Sequence, residues 1–370
     1  MNHASARVLD FSSFSPAAWE SVAPERRTPM QQHIWVRAAA ETLCGGRPVQ
    51  VVTVGSADQP HALAPLAASI GGPRRLRLLG AEELSESVEV HYRDAEALAE
   101  MAAGLAKLGV PLNFGHYLAD TPFLPELKRA YRGRGLVVAK PLSMRGCPYI
   151  TLSEAWLEPE QNFNARRRSD FRRMQRSAEK LGKVTFDIVE PRTEDVGLLL
   201  DEAMAIEARG WKGRSGTAIA IDRKLADFYS RYAQLACEAR ILRLCFLRID
   251  GKAVAMQLAV ETEGRFWLFK IGYDEAFAKC SPGNLLLRET ISYAARRKLN
   301  SYEFLGKEAV WTELWTKSAH SIVALRTYTA NPAGVSALLA DGAHQLGQRI
   351  RHFTGKIGAA RTSQARPSHA

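Results

Sequence analysis

Residues 241–272 read ILRLCFLRIDGKAVAMQLAVETEGRFWLFKIG. Three apolar runs are separated by Asp250-Gly251 and Glu263-Gly264. An acidic residue followed by glycine between such runs signals a two-residue hairpin, because both central turn positions take positive φ. The stretch therefore predicts an antiparallel meander of strands over Ile241–Ile249, Val254–Val260 and Arg265–Gly272. The loop AFAKCSPG (276–283) follows, then a helix from about Asn284 to Arg297 and a strand over Ser301–Leu305 that a helical crossover makes parallel to the third.

Upstream, Phe171, Met174, Ala178 and Leu181 recur at helical spacing in an arginine-rich segment. A strand at Val184–Val189 leads to a helix opened by Thr193, with Val196, Leu199, Leu200, Ala203 and Ile206 as its apolar stripe. The loop WKGRSGT (211–217) precedes a helix over Asp222–Glu238. The N-terminal half repeats this order with shorter elements. It reads as a helix over Thr28–Leu43, strands at Val49–Val54, Ala62–Ile70 and Arg75–Leu79, a helix over Asp94–Leu108 and a strand at Pro111–Phe114. The expected fold is α/β (α+β), two tandem lobes with mixed, mostly antiparallel sheets flanked by helices. The expected division is an extension over 1–20, lobes over 21–155 and 156–330, and a basic amphipathic helix with a disordered tail over 331–370.

The chain has 370 residues, 46% hydrophobic and 24% charged, enough for two cores. No apolar run reaches the 18 to 20 or so residues of a membrane span, and the N-terminus lacks a secretion signal pattern, so the cytoplasm is the expected compartment. Five scattered cysteines without a CxxC pair predict neither disulfides nor a zinc site, and the nine histidines form no HxxxH or HxH pair. No metal is expected.

The net charge of +11 is local. Eight basic residues stand against Asp170 and Glu179 between Gln161 and Lys183, and five against Asp341 from Asn331 onward. The first cluster is either a solvated helix face or a site for phosphate, RNA or an anionic substrate. The second, a helix from Ser336 to about Phe353 with Leu338, Leu339 and Leu346, is expected to pack as a terminal helix, with an anionic membrane surface as the alternative.

The meander, loop and helix together place a helix N-terminus beside the end of the third strand. Unpaired N–H groups of Gly283, Asn284 and Leu285 would face an anion with the helix dipole behind them. Pro282 fixes the chain direction, and Ser281 would cap the helix or bond a phosphate oxygen. A plain Ser-Pro-Gly helix start is the alternative.

The segments RRRSDFRRMQRSAEKLGKVTFDIV, EARGWKGRSGTAI, DGKAVAMQLAV, FWLFKIGYDEAFAKCSPGNLLLRETI and YEFLGKEAVWTELWT span most of Arg166–Thr316. In order and spacing they resemble the GNAT acyltransferase superfamily, its double-domain FemAB-like branch, and especially the CelD-like proteins of cellulose and exopolysaccharide biosynthesis. The N-terminal half resembles it more weakly, through TPMQQHIWVRAA and the APLAAS strand. Two features depart from the pattern. Gly283 stands alone where the family's pyrophosphate loop carries an arginine and a second small residue, and Thr312 stands where many relatives have lysine.

The resemblance implies acyl transfer, with acetyl as the expected group, from acyl-CoA as co-substrate to a hydroxyl or amine on a small-molecule or saccharide acceptor, with peripheral contact to membrane-bound polysaccharide machinery. Its FemAB side implies aminoacyl transfer from tRNA instead, and the departures suggest a silent GNAT-like scaffold as a third reading. Direct attack on a thioester requires a polarised carbonyl, a proton acceptor and an oriented nucleophile. Backbone groups of Ile271, Gly272 and Tyr273 would meet the pantetheine arm at a splayed strand end, with Gly272 supplying a bulge. Tyr273 would protonate the departing thiolate or merely pack. Glu207, a carboxylate where a helix C-terminus disfavours one, is the expected general base, or else a salt-bridge partner of Arg209 or Lys212. Trp211 and Lys212 would contact the acceptor. Lys270 is an anion contact if it faces the cleft and otherwise an edge-strand charge.

Overall fold

A computed structural model describes residues 6–22, 27–69, 72–142, 146–210, 222–306 and 308–347. The meander forms as its turns dictate. Strands β10 (Leu242–Ile249), β11 (Lys252–Thr262) and β12 (Arg265–Tyr273) pair antiparallel. The turn residues Asp250 and Gly251 have φ of 48° and 79°, and Glu263 and Gly264 have 53° and 66°. Strand β9 (Val184–Val189) extends the sheet beyond β10. On the other side β13 (Ser301–Glu303) runs parallel to β12, followed by β8 (Cys147–Thr151) and β14 (Ala319–His320). The order is β14-β8-β13-β12-β11-β10-β9.

Both faces of this sheet are buried, which is why its strands are apolar at nearly every position. Cys245 and Leu247 of β10 face a core shared with the helices Ala165–Glu179 and Pro282–Arg296. Leu244 and Phe246 face the opposite core, shared with the helices Val196–Ala208 and Arg223–Glu238. The first of those two helices begins two residues later than a Thr193 cap predicts: Asp195 is its N-cap position, and its carboxylate accepts from the Arg192 side chain instead of from the helix backbone.

The second core continues without a break into the N-terminal half. Trp35, on the helix His33–Leu43, stacks on Phe269 of β12 at 5.2 Å and meets Phe228 and Tyr232 edge-on at 4.8 and 4.9 Å. The N-terminal half holds a sheet of β1 (Arg7–Asp10), β2 (Gln50–Gly55), β3 (Pro60–Ala68) and β4 (Leu76–Leu78), with β5 (His91–Tyr92) also on β3. The helix Ala95–Lys107 packs on it, capped by the Asp94 carboxylate.

A third sheet is absent from the sequence reading. Strand β15 (Ile322–Thr329) lies between β6 (Asn113–Leu118) and β7 (Gly135–Pro141), antiparallel to both. The chain thus returns to its N-terminal half after completing the seven-stranded sheet.

Helical residues 332–347 follow, and they pack differently from expectation. Ala337 is buried and Asp341 pairs with Arg75 at 2.8 Å, whereas Leu338, Leu339 and Leu346 are 42%, 68% and 61% exposed. A buried arginine fixes the orientation of this helix, so the leucine face turns outward. The tail beyond residue 347 lies outside the described residues.

Candidate active site

Strands β12 and β13 pair only over Arg265–Trp267 and Ser301–Glu303. Beyond that they part. Leu305 and Gly306, with φ of 55° and 58°, turn the chain away from β12. A cavity of about 660 Å3 opens in the gap, walled by Leu268 through Tyr273 on one side and Phe304 through Gly306 on the other. Its mouth includes Ser281, Gly283 and Asn284 at the start of the helix Pro282–Arg296.

Of the residues expected from sequence, Glu207, Lys270, Ile271, Gly272, Tyr273, Ser281, Gly283 and Asn284 all line this cavity. Leu285 does not; its side chain is fully buried in the core beneath. Trp211 and Lys212 lie outside the described residues.

Three expectations need correction. The bulge in β12 is at Phe269: Leu258 pairs with Lys270 and Ala259 with Leu268, leaving Phe269 extra. Gly272 serves a different purpose, since the backbone of Glu207 lies directly against it. The first-turn donors are not all open: the N–H groups of Asn284 and Leu285 donate to the Ser281 carbonyl at 3.0 and 3.3 Å. Pro282 has no N–H, so Gly283 carries the first-turn donor not turned back in this way. The Ser281 side chain makes no cap bond; the residue sits in the left-handed region at φ 48°, ψ 55°.

Arg209 pairs with Asp274 at 3.8 Å, and Glu207 is 2% exposed in the last turn of its helix, while Lys212, its other expected partner, lies outside the described residues. Lys270 turns inward, its Nζ 4.7 Å from the ring centre of Tyr229. Thr312 holds a turn, accepting from the Ala309 N–H at 2.9 Å and donating to its carbonyl at 2.8 Å.

Sequence reasoning missed what the N-terminal half contributes. Leu84, the last residue of the short helix Ala81–Leu84, and Ser85 and Glu86 after it line the same cavity. Glu86 is 4% exposed, and its Oε2 has no hydrogen-bond partner among the described residues. Burial pushes its carboxyl up to about 7 from an ordinary 4.5, against the opposing pull of Lys270 and the Gly306 backbone. Nothing in the local pattern ELSESVEV marks a buried carboxylate, because the segment is irregular and its partners are more than 180 residues away in sequence.

Among the described residues no group of three or more His, Cys, Asp and Glu side chains could hold a metal ion, and no helix is long and apolar enough to cross a membrane. All five cysteines are free and buried.

Residues 165–313 match the family model of the acetyltransferase (GNAT) domain. The chain is an enzyme with a GNAT acetyltransferase domain over those residues, which include the parting strands and the helix start. No protein of curated function matches it by sequence. Among solved structures, FemX superposes with a TM-score of 0.57 at 12% identity, covering 88% of this chain and 98% of FemX. The C-terminal domain of a candidate lysylphosphatidylglycerol synthetase from Agrobacterium fabrum gives 0.53 at 13% identity, over 88% of this chain and 94% of the other. A protein of unknown function from Bacteroides thetaiotaomicron gives 0.53 at 11%, over 85% and 97%. At such identities these three share the fold.

Proposed function

We propose that the protein moves an acyl group, acetyl in the simplest case, from a CoA thioester to a hydroxyl or amine of a saccharide-like acceptor in the cytoplasm. The observation that carries this reading is the cavity opened where parallel strands β12 and β13 part, with a helix N-terminus at its mouth. The Gly283 N–H and the helix dipole would hold the diphosphate. The edge of β12 turned toward β13, beyond Trp267, would run alongside the pantetheine arm at Ile271, Gly272 and Tyr273. The apolar walls from Leu268, Phe304 and Leu305 would exclude water from the thioester.

Chemistry in this cavity falls to two carboxylates and a phenol. Glu207 and Glu86 are the proton acceptors within reach, and the Tyr273 hydroxyl is the donor for the departing thiolate. Lys270 is the cation available to an anionic part of donor or acceptor. Trp211 and Lys212 are retained as acceptor contacts by their place in the sequence after the helix bearing Glu207.

A second reading, aminoacyl transfer from tRNA, draws on the helix Ala165–Glu179, whose Arg166, Arg167, Arg168, Arg172, Arg173 and Arg176 are all exposed. Melting the protein with acetyl-CoA, longer acyl-CoAs and tRNA decides between them, since a donor bound by the folded state raises the transition temperature. Stabilisation by a CoA thioester supports the first reading. Stabilisation by tRNA alone supports the second, and none by any of them leaves a scaffold role in an exopolysaccharide assembly.

A further inference from the structure

We infer that Glu86, supplied by the N-terminal half, is the group that takes the acceptor's proton during acyl transfer in the cavity of the GNAT domain. The inference rests on the acyl-CoA reading above and names a residue outside the 165–313 domain match. Geometry carries it. Glu86 lies at the cavity wall, buried, with one carboxylate oxygen unpartnered among the described residues. Leaving a buried acceptor oxygen unpaired is unfavourable, and an incoming N–H or O–H would relieve that cost.

The surroundings suit the task. Lys270 of β12 attracts the carboxylate form, and the Gly306 N–H donates to it. Tyr229, from the helix Arg223–Glu238, lies near enough to feel both Glu86 and Glu207, and its own hydroxyl has no hydrogen-bond partner among the described residues. Burial, with a smaller push from Glu86, raises the Cys147 thiol of β8 to about 11, so it stays neutral. Burial, opposed by Lys270 and the Gly306 N–H, leaves Glu86 poised between its two forms near neutral pH, where a general base is most effective.

The step balances. The acceptor's proton passes to Glu86 as its nitrogen or oxygen lone pair bonds to the thioester carbonyl carbon. The carbon–sulfur bond then breaks with its electron pair on sulfur, which takes a proton from the Tyr273 hydroxyl. Glu86 returns its proton to solvent and Tyr273 regains one.

The test uses the full chain with 13C-labelled glutamate carboxyls and acetyl-CoA as the donor probe. The resonance lost in Glu86→Gln should titrate near 7 in wild type and move when acetyl-CoA binds. Glu86→Gln should bind acetyl-CoA as wild type does, yet release CoA thiol in the presence of glucosamine about a hundredfold more slowly and without the rising limb of the pH profile. Glu207→Gln should keep that limb. Should Glu86→Gln fail to fold, Glu86→Asp, which withdraws the carboxyl by one methylene, should be slow yet keep the limb. A Glu86 resonance titrating near 4.5 overturns the inference, as does loss of the limb in Glu207→Gln with Glu86→Gln unaffected. Failure of wild type to bind acetyl-CoA overturns the donor reading and the inference with it; intact binding with an ordinary titration overturns the inference alone.

Discussion

Gly272 and Glu207 are in contact through their backbones: a Cβ placed on Gly272 would lie 2.7 Å from the Cα of Glu207 and 3.0 Å from its Cβ. The helix Val196–Ala208 therefore rests on the end of β12 at a spot that only a hydrogen fills. Gly210 seals the same junction, where an added Cβ would stand 3.0 Å from the Tyr273 carbonyl oxygen. The junction brings Glu207 to the cavity beside Tyr273.

Gly272→Ala should push helix and strand apart, because the obstructing atoms are backbone. We expect a loss of about 1–3 kcal/mol in urea unfolding, as for other overpacked cores. Acetyl-CoA affinity should fall with it. An alanine variant with wild-type stability would mean the helix can shift freely.

Gly283 presents the opposite case. A Cβ there meets only Tyr273 Cδ1, at 3.6 Å, an ordinary contact. Gly283→Ala should fold and gain up to about 1 kcal/mol from helix propensity. Gly283→Val should keep the fold by circular dichroism and lose acetyl-CoA affinity tenfold or more by calorimetry. Equal affinity in wild type and the valine variant would remove Gly283 from the diphosphate site.

Stability should depend on pH through groups of opposite sign. Between pH 4.5 and about 7 the folded chain keeps on Glu86 a proton that the unfolded chain has released, so stability falls as pH rises through that window. His33 and His91 are held down to about 4 and about 3 from 6.5, chiefly by burial. Their contribution is present above 6.5 and is lost as pH falls. The two effects oppose each other from 4.5 to 6.5, so the comparison with Glu86→Gln isolates the carboxyl. Relative to wild type, that variant should gain about 3 kcal/mol as pH goes from 4.5 to 8. A difference constant with pH in urea melts would contradict the burial argument.

Trp35→Ala removes the ring that joins the two halves. Its partners Phe228, Tyr232 and Phe269 cannot close the gap without moving a helix and a strand. The cost should be about 3–5 kcal/mol. Because the core is continuous, far-ultraviolet and tryptophan signals of wild type should lose structure in one coincident transition. Two separated transitions would show that the halves are independent.

The legible parts of this molecule were those with local signals. Asp250-Gly251 and Glu263-Gly264 fixed the meander, and the stripes of the helices around Leu200 and Phe228 fixed their buried faces. The cavity residues of β12 followed from the order of elements. What escaped was set by distant partners. Glu86 sits in an irregular stretch whose burial is decided by β12 and by Gly306. Gly272 looked like a bulge because sequence shows a glycine in a strand but not the helix lying across it. The outward face of Leu338 and Leu339 follows from Arg75 gripping Asp341, an ion pair 266 residues apart that no periodicity reports.

The strand Ile322–Thr329 is the middle of a sheet whose outer strands, β6 and β7, are synthesised some two hundred residues earlier. During translation those two strands wait with open edges while the whole GNAT domain emerges, and they close only when residues beyond it leave the ribosome. Contacts of such long sequence separation form late and leave intermediates prone to aggregation. The acyltransferase domain is thus threaded through its neighbour as an insert, and an expression boundary drawn at residue 313 would free the domain at the cost of the sheet that the N-terminal half needs to finish folding.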